Sequence, residues 1–165
     1  MTKKKTKILA IDPGTREIGV AFLVKGKLIH CGVKSIKKKR FPHGTLEEGR
    51  KIVTRLISDL KPEILVVEKT FFANNKNSSL LNTFYNEIKT IGRRKRLKVL
   101  SYAPNTVKKF ICGNGRASKE EVAKVIVSQY PELKVYINND RKWKERYHQN
   151  MFDAVALGIM VAEQG

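Results

Sequence analysis

The chain opens with a short apolar block, Ile8-Leu9-Ala10-Ile11, framed by Lys7 and Asp12, with the length and composition of a buried strand. Glu17 to Val24 and Leu28 to Lys34 predict two more strands, with Lys25-Gly26-Lys27 as a tight hairpin turn between them. Lys37 to His43 is a basic loop. Beyond it, Leu46, Gly49, Val53, Leu56, Ile57 and Leu60 recur at the spacing of one helix face, predicting a helix over 45–60. Thr45 with Glu48 fits a capping box at its start, and Lys61-Pro62 ends it. Glu63 to Glu68 is almost wholly apolar, as in the buried middle of a mixed sheet.

After the loop Asn74-Asn75-Lys76-Asn77, the stretch from Ser78 to Arg93 puts Leu81, Phe84, Tyr85, Ile88 and Ile91 on one helical face. Leu97 to Ser101 predicts a fifth strand, and Pro104 to Ile111 a short helix whose proline suits the first turn. Ser118 with Glu121 is a second capping box, opening a helix to about Tyr130. Lys134 to Tyr147 reads as irregular and basic, and Asn150 onward as the last helix, with Asn150 fitting its cap. The order β-β-β-α-β-α-β-α-α-α predicts an α/β fold, a mixed sheet covered by helices.

At 165 residues the chain is expected to form one domain over 1–165, with residues 1–6 as a flexible basic tail. No apolar run approaches the roughly 18 residues of a membrane span, and the block behind the basic N-terminus is too short for a signal peptide. Cys31 and Cys112 have no metal or redox spacing and are expected to be reduced core residues of a cytoplasmic protein. Charge changes the picture most. Lys and Arg number 34 against 15 acids, a net charge of +19 with pI about 10.1, which makes nucleic acid the leading partner. The cations cluster at Lys37 to Arg40, at Arg93 to Arg96 and from Arg141 to Tyr147. The third cluster interleaves Trp143 and Tyr147 with Arg141, Lys142, Lys144 and Arg146, so aromatic faces that can stack on bases sit among charges that can meet phosphates.

Against this basic background three carboxylates stand out. Asp12 ends the first strand, Glu68 ends the fourth, and Asp153 opens a nearly charge-free helix, Ala154 to Val161. Taken singly, each has an ordinary structural role: Asp12-Pro13-Gly14 is turn chemistry, Glu68 leaves the sheet, and Asp153 belongs to a helix start. Together, three carboxylates at the edges of buried apolar elements are costly unless something compensates their desolvation, which suggests one shared cation site. Magnesium prefers oxygen ligands and keeps several waters, so a few carboxylates on a sheet edge suffice, and the combination reads as a metal-dependent nuclease. Gly113-Asn114-Gly115 fits no nucleotide-binding fingerprint.

Several motifs then converge. Ile11-Asp12-Pro13-Gly14-Thr15 with Gly19-Val20-Ala21, Val67 to Asn75, Pro104 to Lys108, Gly113 to Lys119, and Phe152 to Gly158 occur in order at compatible spacing. In this the chain resembles the Holliday-junction resolvases of the RuvC type over Ile8 to about Val161. The resemblance implies a ribonuclease H-like fold with a five-stranded mixed sheet of order 3-2-1-4-5. It implies a homodimer, with the helix after Glu68 at its interface, that nicks four-way junction DNA to leave 5′-phosphate and 3′-hydroxyl ends. It further implies that Asp12, Glu68 and Asp153 bind divalent metals, and that Lys108 and Lys119 approach the DNA backbone near the cleaved bond. By the same likeness Phe71 stacks near the junction centre and Arg116 belongs to a DNA-binding motif.

Chemistry agrees with these expectations. Two magnesium ions, or manganese in their place, can together activate a water and stabilise the leaving oxygen of an in-line displacement. Asp12 is expected to bridge both, with Glu68 on one and Asp153 on the other. Lys119 sits at a helix start, where backbone N–H groups already favour phosphate. The chain departs from the family where an Asp or His usually stands three residues before the last acid. Asn150 occupies that place, on the same helix face as Asp153, and is the fourth metal-ligand candidate, while His148 points elsewhere. The expected partners are four-way junction DNA, a second copy of the chain and branch-migration machinery, with no membrane, in the nucleoid. Competing readings are a non-catalytic junction binder, a phage or mobile-element nuclease of the same fold, and an actin-like kinase. The last needs a second lobe that 165 residues do not hold.

Overall fold

A computed structural model describes residues 6–37, 42–70, 76–138 and 142–164, with backbone alone at 76–78, 138 and 142–147. The predicted tail before Thr6, the Lys38 to Phe41 part of the basic loop, Phe71 and Arg141 lie outside the described residues. Five strands form one sheet: β1 (Lys7–Asp12), β2 (Glu17–Val24), β3 (Lys27–Ser35), β4 (Ile64–Glu68) and β5 (Lys98–Tyr102). Their order is β3-β2-β1-β4-β5, the expected 3-2-1-4-5. The first three strands pair antiparallel as a meander, and β4 and β5 add in parallel on the other side of β1.

Alternation along the strands divides the apolar residues between two faces. Leu9, Ile11, Ile18, Val20, Leu65 and Val67 pack under helices α1 (Pro42–Leu60) and α2 (Lys76–Arg94), through Val53, Ile57, Phe84 and Ile88. Ile8, Ala10, Ala21, Leu23 and Val66 face α3 (Pro104–Cys112), α4 (Lys119–Gln129) and α6 (Lys142–Gln164). A single 3-10 turn (Pro131–Leu133) and α5 (Lys134–Asn138) connect α4 to α6. Pro104 stands in the first turn of α3 and Ser118 caps α4, its hydroxyl accepting from the Glu121 N–H at 3.1 Å, as the sequence predicts. Cys31 and Cys112 are free and half-buried.

Three local expectations are corrected. Helix α1 begins at Pro42, so Thr45 lies inside its first turn and is not a cap; proline at a first helical position is unstrained. Within the segment expected to be irregular, residues 134–138 and 142–147 are helical. The segment contains neither glycine nor proline, and its Lys, Arg and Glu residues are good helix formers, so high charge there does not mean irregular chain. Helix α6 consequently starts at Lys142, which puts Asn150 and Asp153 in its interior and removes the capping role expected of Asn150.

The sheet's two ends differ. Among the described residues, the non-glycine positions with positive φ are Lys25 (53°), Lys61 (49°) and Arg96 (61°), all at the end opposite Asp12. Lys25 and Gly26 form the two-residue turn between Val24 and Lys27, while Lys61 and Arg96 follow the C-termini of α1 and α2. Each left-handed lysine or arginine costs on the order of 1 kcal/mol relative to glycine.

Candidate active site

The register explains why the acids meet. Ile11 pairs with Val67 in the parallel β1–β4 ladder, so Asp12 and Glu68, one residue further along each strand, leave the sheet side by side. On the other flank Asp12 pairs with Gly19 of β2, and there α6 comes close. A Cβ at Gly19 would stand 1.9 Å from the Asn150 carbonyl oxygen and 2.3 Å from its carbon. Only glycine permits this approach. One helical turn beyond Asn150, Asp153 faces the two strand-end acids, and one carboxylate oxygen from each of the three lies within 4.8 Å of the others.

Crowding sets the protonation. Burial raises Asp12 well above its ordinary value, and the neighbouring Glu68 and Asp153 charges raise it further. Glu68 is pushed up to about 8, first by burial and then by Asp153. Burial also raises Asp153, while Lys119 and Lys108 oppose the shift. Side-chain hydrogen bonds link Asp12 to both Glu68 and Asp153. Three such carboxylates cannot all ionise together without a cation, and an all-oxygen set of hard ligands fits a divalent metal. The residues present therefore suit the metal that the sequence implies.

Beside the carboxylates is a cleft of about 220 Å³ lined by Glu68 and Asp153 together with Lys108 and Lys119. Pro104, Val107, Val122 and Ala156 complete its lining. Lys108 comes from α3 and Lys119 from the first turn of α4, so two helices aim cations at one phosphate-sized opening. The structure thus brings together five expected residues: Asp12, Glu68, Asp153, Lys108 and Lys119. Arg116 is exposed in the α3–α4 link, where its N–H donates to the Asn114 side chain at 2.9 Å, and it does not line the cleft. Phe71 and Arg141 lie outside the described residues, as do the side chains of Lys142, Trp143 and Lys144.

Asn150 is tied locally: its side-chain nitrogen donates to the Glu17 carbonyl at 3.3 Å, joining α6 to the start of β2. His148 turns away from the acids and packs on Tyr136, ring centroids 4.5 Å apart. Sequence reasoning overlooked the role of Gly19 in seating α6. A glycine inside an otherwise apolar strand marks a close backbone approach, and that was the available signal.

Comparison with known proteins agrees with this geometry. A family model described as crossover junction endodeoxyribonuclease RuvC matches residues 8–159. The RuvC of Geotalea uraniireducens is 35% identical over 126 residues, 73% of this chain and 73% of that protein. The RuvC of Rickettsia typhi is 29% identical over 155 residues, covering 91% of this chain and 92% of its own. A solved structure of Thermus thermophilus RuvC in complex with Holliday junction substrate superposes with a TM-score of 0.71. Its identity is 22%, over 93% of this chain and 91% of that one, and the likeness shows a shared fold.

Proposed function

The chain belongs to the RuvC family of crossover junction endodeoxyribonucleases, and from that premise we propose that its carboxylate cleft resolves four-way DNA junctions by paired nicks. The observation that carries the reading is the closed cluster of Asp12, Glu68 and Asp153 beside Lys108 and Lys119 on a chain of net charge +19. The cluster suits divalent metal, and magnesium is the ion we assign to it, with manganese as a substitute. Divalent metal, when bound, polarises the attacked phosphate and stabilises charge on the leaving oxygen.

The chain's own residues do the rest. Asp12, shared between its two acidic neighbours, holds the centre of the site, with Glu68 on one side and Asp153 on the other. Asn150 offers a neutral amide oxygen as a weaker fourth ligand, oriented by the bond from its nitrogen to Glu17. Lys108 and Lys119 hold the scissile phosphate against the carboxylates and offset the charge that builds on its oxygens. Water attacks phosphorus, the P–O3′ bond breaks, and the released 3′-oxygen takes up a proton, leaving 5′-phosphate and 3′-hydroxyl ends. Arg116, Phe71 and the segment Arg141, Lys142, Trp143 and Lys144 contact DNA outside the cleft. Lys142, Trp143 and Lys144 open α6, the helix that carries Asp153.

The protein works as one nuclease domain and as a dimer, because two sites related by a twofold axis can address opposed strands of a nearly twofold junction. Helix α2 forms the dimer contact, and branch-migration machinery supplies the junction in the nucleoid. No helix among the described residues is long and apolar enough to cross a membrane. A non-catalytic junction binder has no use for three adjoining carboxylates all raised by burial, so catalysis is the stronger reading. Purified protein with a synthetic four-way junction and magnesium should give symmetric nicks and leave linear duplex of the same sequence intact, with light scattering giving a dimer. Junction binding without any nick in magnesium or manganese would contradict the assignment.

A further inference from the structure

The pole of the sheet opposite the carboxylates carries a second concentration of positive charge, assembled from three separate connections. The β2–β3 turn supplies Lys25 and Lys27, the α1–β4 link supplies Lys61, and the last turn of α2 with its link to β5 supplies Arg93 to Arg96 followed by Lys98. All of these side chains are exposed. Backbone hydrogen bonds knit the connections into one ledge. The Lys25 N–H donates to the Thr6 carbonyl at 3.1 Å, that of Glu63 to Lys7 at 2.9 Å, and that of Lys98 to Glu63 at 3.0 Å. With strands about 4.8 Å apart, the ledge from the β2–β3 turn to β5 is about 17 Å wide, close to the width of a duplex. Asp12 is the sixth and last residue of β1, whose first residue adjoins the ledge, so the ledge lies roughly 17 Å from the carboxylates.

Charge balance there is one-sided. Acids on the elements that flank the ledge are Asp59 and Glu63 on the α1–β4 side, Glu163 in the last turn of α6, and Glu132, whose charge reaches Cys31 of β3. Among the described residues, the side-chain ion pairs are Arg50–Glu87 and Lys51–Glu47, neither of which involves a ledge cation. The backbone adds an independent observation. Lys25, Lys61 and Arg96 occupy left-handed conformations that glycine or asparagine adopts more cheaply, yet each is a cation on this one pole. Helix dipoles account for a cation after α1 and after α2, but not for Lys25, which sits in a hairpin.

We propose that this ledge is a second nucleic-acid surface, which grips the phosphate backbone of a duplex arm without reading its sequence, separately from the cleavage cleft. The idea rests on the DNA-handling reading above but assigns residues that play no part in cleavage. Its charge array is wide enough to lie across both strands of a duplex, which favours DNA over a narrow acidic peptide.

The test uses the intact protein carrying Lys25→Asn, Lys61→Asn and Arg96→Asn together. Asparagine tolerates left-handed backbone, so Tm should be no lower than wild type. Binding to a linear duplex of about 20 base pairs should weaken, and the log–log salt slope should become shallower by about 0.9 for each phosphate the variant no longer neutralises, roughly 1 to 3 in all. Junction nicking at saturating protein in magnesium should be unchanged. A second variant, Lys27→Gln with Lys98→Gln, removes charge from strand positions without left-handed backbone and should flatten the slope in the same direction. A folded variant of either kind with wild-type duplex affinity and slope overturns the proposal. So does an unchanged slope accompanied by weakened binding of poly-glutamate, which would assign the ledge to an acidic polypeptide. Because duplex binding is read without cleavage, failure of the nuclease reading shows separately, as absence of nicking by the wild-type protein.

Discussion

Replacing Gly19 with alanine tests how the site is assembled. The new Cβ would lie 1.9 Å from the Asn150 carbonyl oxygen and 2.3 Å from its carbon, where real contacts need at least 3.0 Å. Both obstructing atoms belong to helix backbone, which cannot rotate aside as a side chain does. Helix α6 must therefore withdraw from β2 by on the order of 1 Å, carrying Asp153 with it as a rigid body. Asp12 and Glu68 stay on the sheet, so the spacing that now keeps ligand oxygens within 4.8 Å opens on one side only. A displacement of about 1 Å at a reacting centre costs roughly 100-fold in rate. Overpacking itself costs about 1–3 kcal/mol, which lowers Tm by roughly 3–10 °C in a chain of this size. Single-turnover cleavage of a synthetic junction across a magnesium titration, paired with thermal unfolding, reads both effects. Gly32→Ala on β3 is the control, because nothing lies within 4 Å of a Cβ there and the chemical change is the same. Wild-type cleavage and Tm in Gly19→Ala would refute the close-approach argument. An equal loss in Gly32→Ala would show that strand glycine in general, and not the seat of α6, is responsible.

Protonation gives a second prediction. Because the fold raises Glu68 from an ordinary 4.5 to about 8, its contribution to metal-free stability is fully present below about pH 4.5 and lost as pH rises through 8. In chelator, Tm should therefore fall between about pH 6 and about pH 8.5, magnesium or manganese should restore it most at the alkaline end, and Glu68→Gln should flatten the profile; equal profiles for both proteins would contradict the coupling. Asn150 supplies a third. Asn150→Asp should lower the metal concentration for half-maximal cleavage, whereas Asn150→Ala should raise it and cost about 1 kcal/mol of stability as the bond to Glu17 disappears. Identical metal dependence in both variants would leave Asn150 with only its structural bond.

Much of this arrangement was legible in the chain. Asp12 and Glu68 each follow a run of buried strand residues, and the parallel register converts equal positions at strand ends into neighbours. Period-3.6 patterning located α2 to within about two residues of its bounds, and the Ser118 cap fixed the start of α4 beside Lys119. Other features were hidden for physical reasons. Charge density from Lys134 to Tyr147 concealed α5 and the start of α6, since patterning detects apolar faces better than charged helix formers. The contact between Gly19 and Asn150 joins residues far apart in sequence and depends on how α6 lies against the sheet, which no local pattern encodes. The same is true of the basic ledge, whose turns become neighbours only through the strand order.

The proposed division of labour gives Asp12, Glu68 and Asp153 the metal for cleavage and leaves junction affinity to the basic surface. Nicking and binding of the same four-way junction, measured side by side for Asp12→Asn, Glu68→Gln and Asp153→Asn at saturating magnesium, test it most directly. The account predicts that each variant loses cleavage by at least about 100-fold, yet binds the junction with nearly wild-type affinity and salt dependence. Full nicking activity in any one of the three would contradict it by removing that carboxylate from the site.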